Sequence, residues 1–178
     1  MVIAGDGGPQ VPASSVSQAA RRLPVPVIGV CGYSNSGKTL LLERLVPRLT
    51  GRGLRVALIK DSHHPLDVDR SGKDSDRLFA VGADVLVCGA DQTFIRLHAA
   101  RLTLDECLAR LPGGYDLVLV EGFRNVALPK IRLDDEPDDQ LLARLTDGHP
   151  DIDAAEQAIW DYLTHLRRSG GSDSITPR

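Results

Sequence analysis

Gly32-Tyr33-Ser34-Asn35-Ser36-Gly37-Lys38-Thr39 carries the strongest fold signal in this chain. It fits the phosphate-loop pattern G-x-x-x-x-G-K-S/T. Gly32 and Gly37 allow backbone angles that a side chain would block. The loop amides, from Tyr33 through Ser36 and into the start of a following helix, then converge on phosphate oxygens. Lys38 reaches the outer phosphates as a point charge. Thr39 offers its hydroxyl to Mg²⁺, an ion that takes oxygen ligands and phosphates. A Gly-rich strand-to-helix turn that binds nothing is the bland alternative, and the flanking sequence argues against it.

Residues 25–30 form a near-continuous apolar run, suited to a strand buried on both faces of a parallel sheet. After the loop, Leu41, Leu42, Leu45, Val46 and Leu49 recur at helical spacing. Pro47 removes one backbone donor from that helix, so a kink or a loosened last turn is expected. Gly51 and Gly53 end it. Residues 56–60 read as a second buried strand, followed by a polar loop over 61–72. A helix is expected over 74–81, stopped by Gly82, and a hairpin from strands at 85–88 and 93–97. Thr103 with Glu106 has the form of a capping box opening a helix to about residue 111. Strands follow at 117–120, 130–133 and 141–145, with an acidic loop at 134–139 between the last two. Asp153 with Glu156 opens a final amphipathic helix through Leu166. Strands alternating with helices give an α/β fold with a mainly parallel sheet flanked by helices.

Glu121 ends the strand Asp116-Leu117-Val118-Leu119-Val120. Ligands in open α/β sheets sit beyond the carboxyl ends of the strands. An acid there can hold Mg²⁺ through water or orient an attacking water. A solvent-exposed strand-end acid is the competing reading.

Net charge is −3, which argues against nucleic-acid binding, since that normally needs a basic excess. No apolar run approaches a membrane span. The three widely spaced cysteines show no disulfide framework and no Cys-x-x-Cys pair, pointing to a reducing compartment and hence the cytoplasm. Cys31 and Cys88, in apolar strand-like runs, are expected to be buried structural thiols. Residues 1–22 read as a disordered leader, 23–168 as a single globular domain and 169–178 as a loose tail. Asp67-Val68-Asp69-Arg70-Ser71-Gly72 begins like an EF-hand loop, but its twelfth position is Leu78, where Ca²⁺ needs a bidentate Glu. His63 and His64 are adjacent and cannot present one metal face from a helix or strand.

Several segments together resemble one family. They are Leu58-Ile59-Lys60-Asp61-Ser62-His63-His64, Asp67-Val68-Asp69, Gly72-Lys73-Asp74-Ser75, Leu119-Val120-Glu121-Gly122-Phe123-Arg124 and Pro129-Lys130-Ile131. With the phosphate loop they are similar to the molybdopterin-guanine dinucleotide biosynthesis protein B family over roughly residues 25–133. The resemblance implies a P-loop NTPase fold, a homodimer, and GTP with Mg²⁺ as ligand with weak hydrolysis. It also implies an accessory role beside a nucleotidyltransferase, protein A, that joins GMP to molybdopterin, with direct molybdopterin binding a further possibility. Carried over by position, 32–39 bind phosphate and Mg²⁺. Lys60, His63, Asp69, Lys73, Asp74 and Ser75 line the site, and Glu121 serves the metal or the water. The chain departs from the family at Asp61, where His or Thr is common, and at Leu40, where a second Thr is. Leu142-Ala143-Arg144-Leu145-Thr146-Asp147-Gly148 resembles the segment on the base side, and Asp147 could accept hydrogen bonds from guanine N1 and N2. A turn Asp with no ligand is the other reading.

Three functions fit these residues: an accessory GTPase, a kinase or ligase-like transferase with a small-molecule acceptor, and a binding module without catalysis. No arginine finger is obvious. Arg124, just past Glu121, is a candidate to supply one, in cis or across a dimer.

Overall fold

The computed structural model describes residues 25–99, 101–146 and 151–169. The leader at 1–22, the tail beyond Ser169 and the candidate base contact Asp147 lie outside the described residues. Two compact units divide the chain: one runs up to Lys60 and resumes at Pro112, the other comprises residues 61–111.

The first unit is built on a five-stranded, wholly parallel sheet. Its strands are β1 (Val27–Cys31), β2 (Val56–Lys60), β5 (Leu117–Glu121), β6 (Lys130–Arg132) and β7 (Leu141–Arg144). Their order is β2-β5-β1-β6-β7, so β1 is hydrogen-bonded along both edges. Every residue of β1 and β5 is buried, which is why both read as unbroken apolar runs. Helices α1 (Lys38–Gly51) and α4 (Ile152–Ser169) pack on the face carrying Ile28, Val30, Leu117, Leu119 and Ile131. Leu41, Leu45 and Leu49 come from one stripe of α1, and Ala155, Ile159 and Leu163 from one stripe of α4.

Pro47 lies inside α1, and the helix continues past it to Gly51. The ends of α1 are made by glycine. Gly37 (φ +90°) precedes its first turn, and Gly53 (φ +90°) closes the last. The amide of Gly53 donates to the Thr50 carbonyl at 2.9 Å, and that of Leu54 to the Leu49 carbonyl at 3.2 Å. This pair of bonds is a Schellman termination, with Leu49 and Leu54 as its apolar contact. In α4 the expected start is displaced. Asp151, not Asp153, caps the helix by accepting from the Ala154 amide at 3.0 Å. Asp153 and Glu156 serve instead as partners of Arg48, and Glu156 also of Arg52 at 2.9 Å, tying α4 to α1. Ser169, expected in the tail, is the last residue of α4.

The second unit holds α2 (Asp74–Ala80), the antiparallel hairpin β3 (Val85–Cys88) and β4 (Thr93–Arg96), and α3 (Leu104–Arg110). The capping box is present: Thr103 Oγ1 accepts from the Glu106 amide at 3.3 Å, and Glu106 Oε2 accepts from the Thr103 amide at 2.8 Å. Cys31 is buried as expected, but Cys88 is exposed. In a two-stranded ribbon, alternate residues face outward, and Cys88 falls on that set with Leu86.

Removing the Leu45 side chain, which is fully buried between helix and sheet, should cost about 2–5 kcal/mol in urea unfolding. Gly53→Ala, which strains only the backbone because nothing lies within 4 Å of its added Cβ, should cost about 1–2 kcal/mol.

Candidate functional site

The phosphate loop leaves the buried end of β1 and enters α1 without a side-chain cap. The first intrahelical bond is from the Leu41 amide to the Gly37 carbonyl at 2.8 Å. The amides of Lys38, Thr39 and Leu40 therefore have no acceptor within the helix, the arrangement that favours an anion. Within the loop, the Ser36 amide donates to the Tyr33 carbonyl at 3.3 Å, and Asn35 holds a left-handed backbone (φ +61°). Gly32 is required by space: a Cβ there would lie 2.6 Å from Ser36 Oγ and 3.1 Å from Leu133 Cβ. Lys38 Nζ sits inside the curl, donating to the Gly32 carbonyl at 3.1 Å and to the Tyr33 carbonyl. Ser34, Asn35 and Thr39 are exposed. A loop so shaped, with a lysine inside and a hydroxyl at Thr39, fits a polyphosphate with its Mg²⁺.

Glu121 is in register with Val30, the residue before Cys31, and with Lys60 on the other side. The carboxylate is buried, not solvated, and Lys60 Nζ lies 3.1 Å from its Oε2 and 3.3 Å from its Oε1. The Gly122 amide approaches the Val30 carbonyl at 3.5 Å, and Cys31 Sγ donates to the Gly122 carbonyl at 3.6 Å. Glu121 thus stands at the root of the phosphate loop, with Lys60 as its cation. Burial pushes the Cys31 thiol up, against the lowering effect of Lys130 and Arg132, so it is an inert wall rather than a nucleophile.

A group of charges that the sequence reading passed over as an acidic loop lies on the other flank of β1. Lys130 and Arg132, inside β6, are both buried. Arg132 donates to Asp134 at 2.7 Å and to Asp138 at 3.1 Å, and Lys130 Nζ is 3.1 Å from Asp138. Arg144 of β7 donates to the carbonyls of Asp134 and Glu136. Glu136 accepts from the Tyr33 hydroxyl at 2.8 Å, which raises the phenol above its ordinary range and fastens the segment to the phosphate loop. Alternating basic residues in a strand otherwise placed for burial were the available signal, since such charges need buried partners.

The remaining predicted residues lie in the second unit, apart from Asp147. His63, Lys73 and Asp74 are exposed, and Ser75 is half-buried. Asp69 accepts from the Arg70 amide at 2.8 Å. Its other oxygen, 3.8 Å from Arg96, makes no hydrogen bond. Asp76, missed from the sequence, is the organising acid. It accepts from the Gly72 amide and from Arg96, each at 2.9 Å, and these bonds hold its carboxyl below the usual range. The Arg96 guanidinium also lies over the Phe79 ring, which stacks on His98. Among the described residues, no group of three or more His, Cys, Asp or Glu could hold a metal ion.

A parallel sheet with a phosphate loop after its central strand, and a carboxylate at the end of the adjoining strand, defines a P-loop NTPase-type α/β protein. The family model of molybdopterin guanine dinucleotide synthesis protein B matches residues 27–148, and the chain belongs to that family. It is similar to the molybdopterin-guanine dinucleotide biosynthesis adapter protein of Haemophilus influenzae, 40% identical over 118 residues, covering 61% of this chain and 63% of that one. The adapter protein of Escherichia coli is 36% identical over 119 residues, covering 64% and 68%. The chain therefore spans about two thirds of the length of these relatives. A crystal structure of a molybdopterin-guanine biosynthesis protein B superposes with a TM-score of 0.62 at 27% identity, covering 78% of this chain and 99% of that one.

Asp138 gives the flank of β1 a defined acid limit. Burial raises its pKa, but the Gln140 amide, Lys130 and Arg132 outweigh burial and set it below the ordinary 3.8. A depressed carboxyl stabilises the fold fully above the unfolded value and loses that contribution as pH falls through the lower folded value. Asp138→Asn should lower urea stability near neutral pH, and its deficit against the wild type should shrink below pH ~4. Arg132→Leu, which leaves two buried carboxylates short of a partner, should cost about 3 kcal/mol or more.

Proposed function

We propose that this chain is a GTP-binding accessory protein of molybdenum-cofactor biosynthesis. In this reading it assists the nucleotidyltransferase that joins GMP to molybdopterin, and it hydrolyses GTP slowly. The observation that carries the nucleotide part is the curl of residues 32–39, with unsatisfied amides at the start of α1, Lys38 inside it and buried Glu121 at its root. The family membership and the names of the relatives carry the pathway.

In this reading the amides of 33–40 and Lys38 hold the β- and γ-phosphates. Thr39 and Glu121 hold Mg²⁺, which supplies charge neutralisation at the phosphates. Glu121 orients the attacking water, and Lys60 holds that carboxylate in place. Hydrolysis is then a matter of position and charge, and with few cations free to reach the terminal phosphate it is slow. His63, Asp69, Lys73, Asp74 and Ser75 are candidates for ligand contact within their own unit, and Asp147 for the guanine base. We assign the protein to the cytoplasm and to a homodimer on the same family reading. No helix among the described residues is long and apolar enough to cross a membrane.

Calorimetric titration with GTP and with ATP, each with Mg²⁺, tests the reading. GTP should bind, ATP at least about tenfold more weakly, and Lys38→Ala should lose on the order of 100-fold in GTP affinity. Absence of binding by any purine triphosphate would overturn it. Phosphate transferred to a small-molecule acceptor, rather than released with GDP, would move the protein to the transferases.

A further inference from the structure

The connection between β5 and β6 is out of the ordinary. These strands lie on opposite sides of β1 and run parallel to each other, yet only residues 122–129 join them. A parallel crossover usually needs a dozen residues or more. The short link works because β6 is staggered. Its first residue, Lys130, is level with Gly29, which is itself level with Val120 near the end of β5. The chain therefore passes across β1 close to its carboxyl end, beside the start of the phosphate loop. The Gly122 amide and carbonyl are held there by Val30 and Cys31.

The first residues of this link are strained and directional. Gly122 has φ +100°, and Phe123 has φ +48°, which a bulky side chain rarely adopts. Strain of this kind persists only where the surroundings enforce it, often at functional positions. The Val126 amide then donates to the Phe123 carbonyl at 2.9 Å, closing a tight turn with Arg124 and Asn125 at its tip. Arg124 is exposed and has no hydrogen-bond, ion-pair or ring partner among the described residues. The other cations at this sheet edge are engaged: Lys38 with loop carbonyls, Lys60 with Glu121, and Lys130 and Arg132 with Asp138. Two residues of chain reach at most about 7 Å, so the Arg124 backbone stays within a side chain's length of Gly122.

We infer that Arg124 is a catalytic residue whose guanidinium donates to the terminal phosphate of the bound nucleoside triphosphate and supplies charge as it is transferred. The inference rests on the proposed nucleotide site. Water attacks the γ-phosphorus, so a new P–O bond forms as the bond to the β–γ bridging oxygen breaks. The electron pair stays on the β-phosphate of the departing diphosphate. The proton shed by the water passes to inorganic phosphate or to solvent, and the products are GDP and phosphate. Negative charge shifts towards the bridging and β-oxygens during the transfer, and a planar guanidinium from the same chain is suited to meet it. The tight turn leaves the Arg124 side chain exposed and, among the described residues, unpaired, available for that contact.

The test compares wild type, Arg124→Ala and Arg124→Lys. It measures single-turnover GTP hydrolysis and calorimetric binding of GTP and of GDP with aluminium fluoride, all with Mg²⁺. Arg124→Ala should keep GTP affinity within about threefold while losing on the order of 100-fold or more in rate and in affinity for the fluoride complex. Arg124→Lys should recover only a small part, because a point charge lacks the fork geometry. Unchanged rate and fluoride-complex affinity in Arg124→Ala would overturn the inference. So would a wild type that binds GTP but binds the fluoride complex no more tightly than GDP. A wild type that binds no GTP would instead overturn the nucleotide site itself.

Discussion

Strand β1 is hydrogen-bonded along both edges, and this double pairing fixes where the phosphate loop begins. A strand hydrogen-bonded to β5 on one side and β6 on the other, and buried on both faces, cannot shift its end without breaking ladders on two neighbours. The residues that follow Cys31 are therefore launched from a fixed point. The loop can then hold a curl that glycine permits and that few backbone bonds of its own enforce. The apolar stripe of α1, locked between the sheet and α4, fixes the other end of the loop. What lies between is the loop 32–37, and it leads into the amides of Lys38, Thr39 and Leu40, which have no acceptor within the helix.

The two flanks of β1 solve opposite electrostatic problems. On the β5 side a single carboxylate, Glu121, is buried beside one half-exposed lysine. Such a pair is easily re-partnered, because solvent reaches the cation. On the β6 side, Lys130, Arg132, Asp134 and Asp138 are all buried and share several bonds. Desolvating these charges is expensive, and only the mutual pairing offsets it. That group behaves as a rigid abutment, and through Glu136 it carries the Tyr33 side chain of the phosphate loop. The β5 flank thus carries a pliable charge and the β6 flank a fixed frame.

Much of this was readable residue by residue. The strands at 56–60 and 85–88, the hairpin, the capping box at Thr103 and the glycine end of α1 follow from local rules of backbone and side-chain hydrogen bonding. They emerged where those rules put them, but the strand at 56–60, expected to be buried, lies at the sheet edge with Leu58 and Lys60 exposed. The misreadings have a common cause in contacts distant along the chain. Asp153 and Glu156 look like cap residues until Arg48 and Arg52, about a hundred residues earlier, claim them and Asp151 takes the cap. Cys88 looks like a core thiol until its strand turns out to have a single neighbour. The loop at 134–139 looks like a solvated acidic tract until buried Lys130 and Arg132 are placed beneath it.

The class of the fold, the phosphate-loop motif and the acid at the end of the neighbouring strand are all legible in the residues alone. Apolar periodicity, glycine tolerance and the pattern around Lys38 are local properties, written within some ten residues of each site. Long-range packing alone buries Glu121 against Lys60, closes the ionic frame on β6, and carries the link from β5 to β6 across β1 with Arg124 at its tip. The reason is the stagger and order of the strands. Register across a parallel sheet joins residues tens to a hundred positions apart, and no local pattern encodes which of them will share a level.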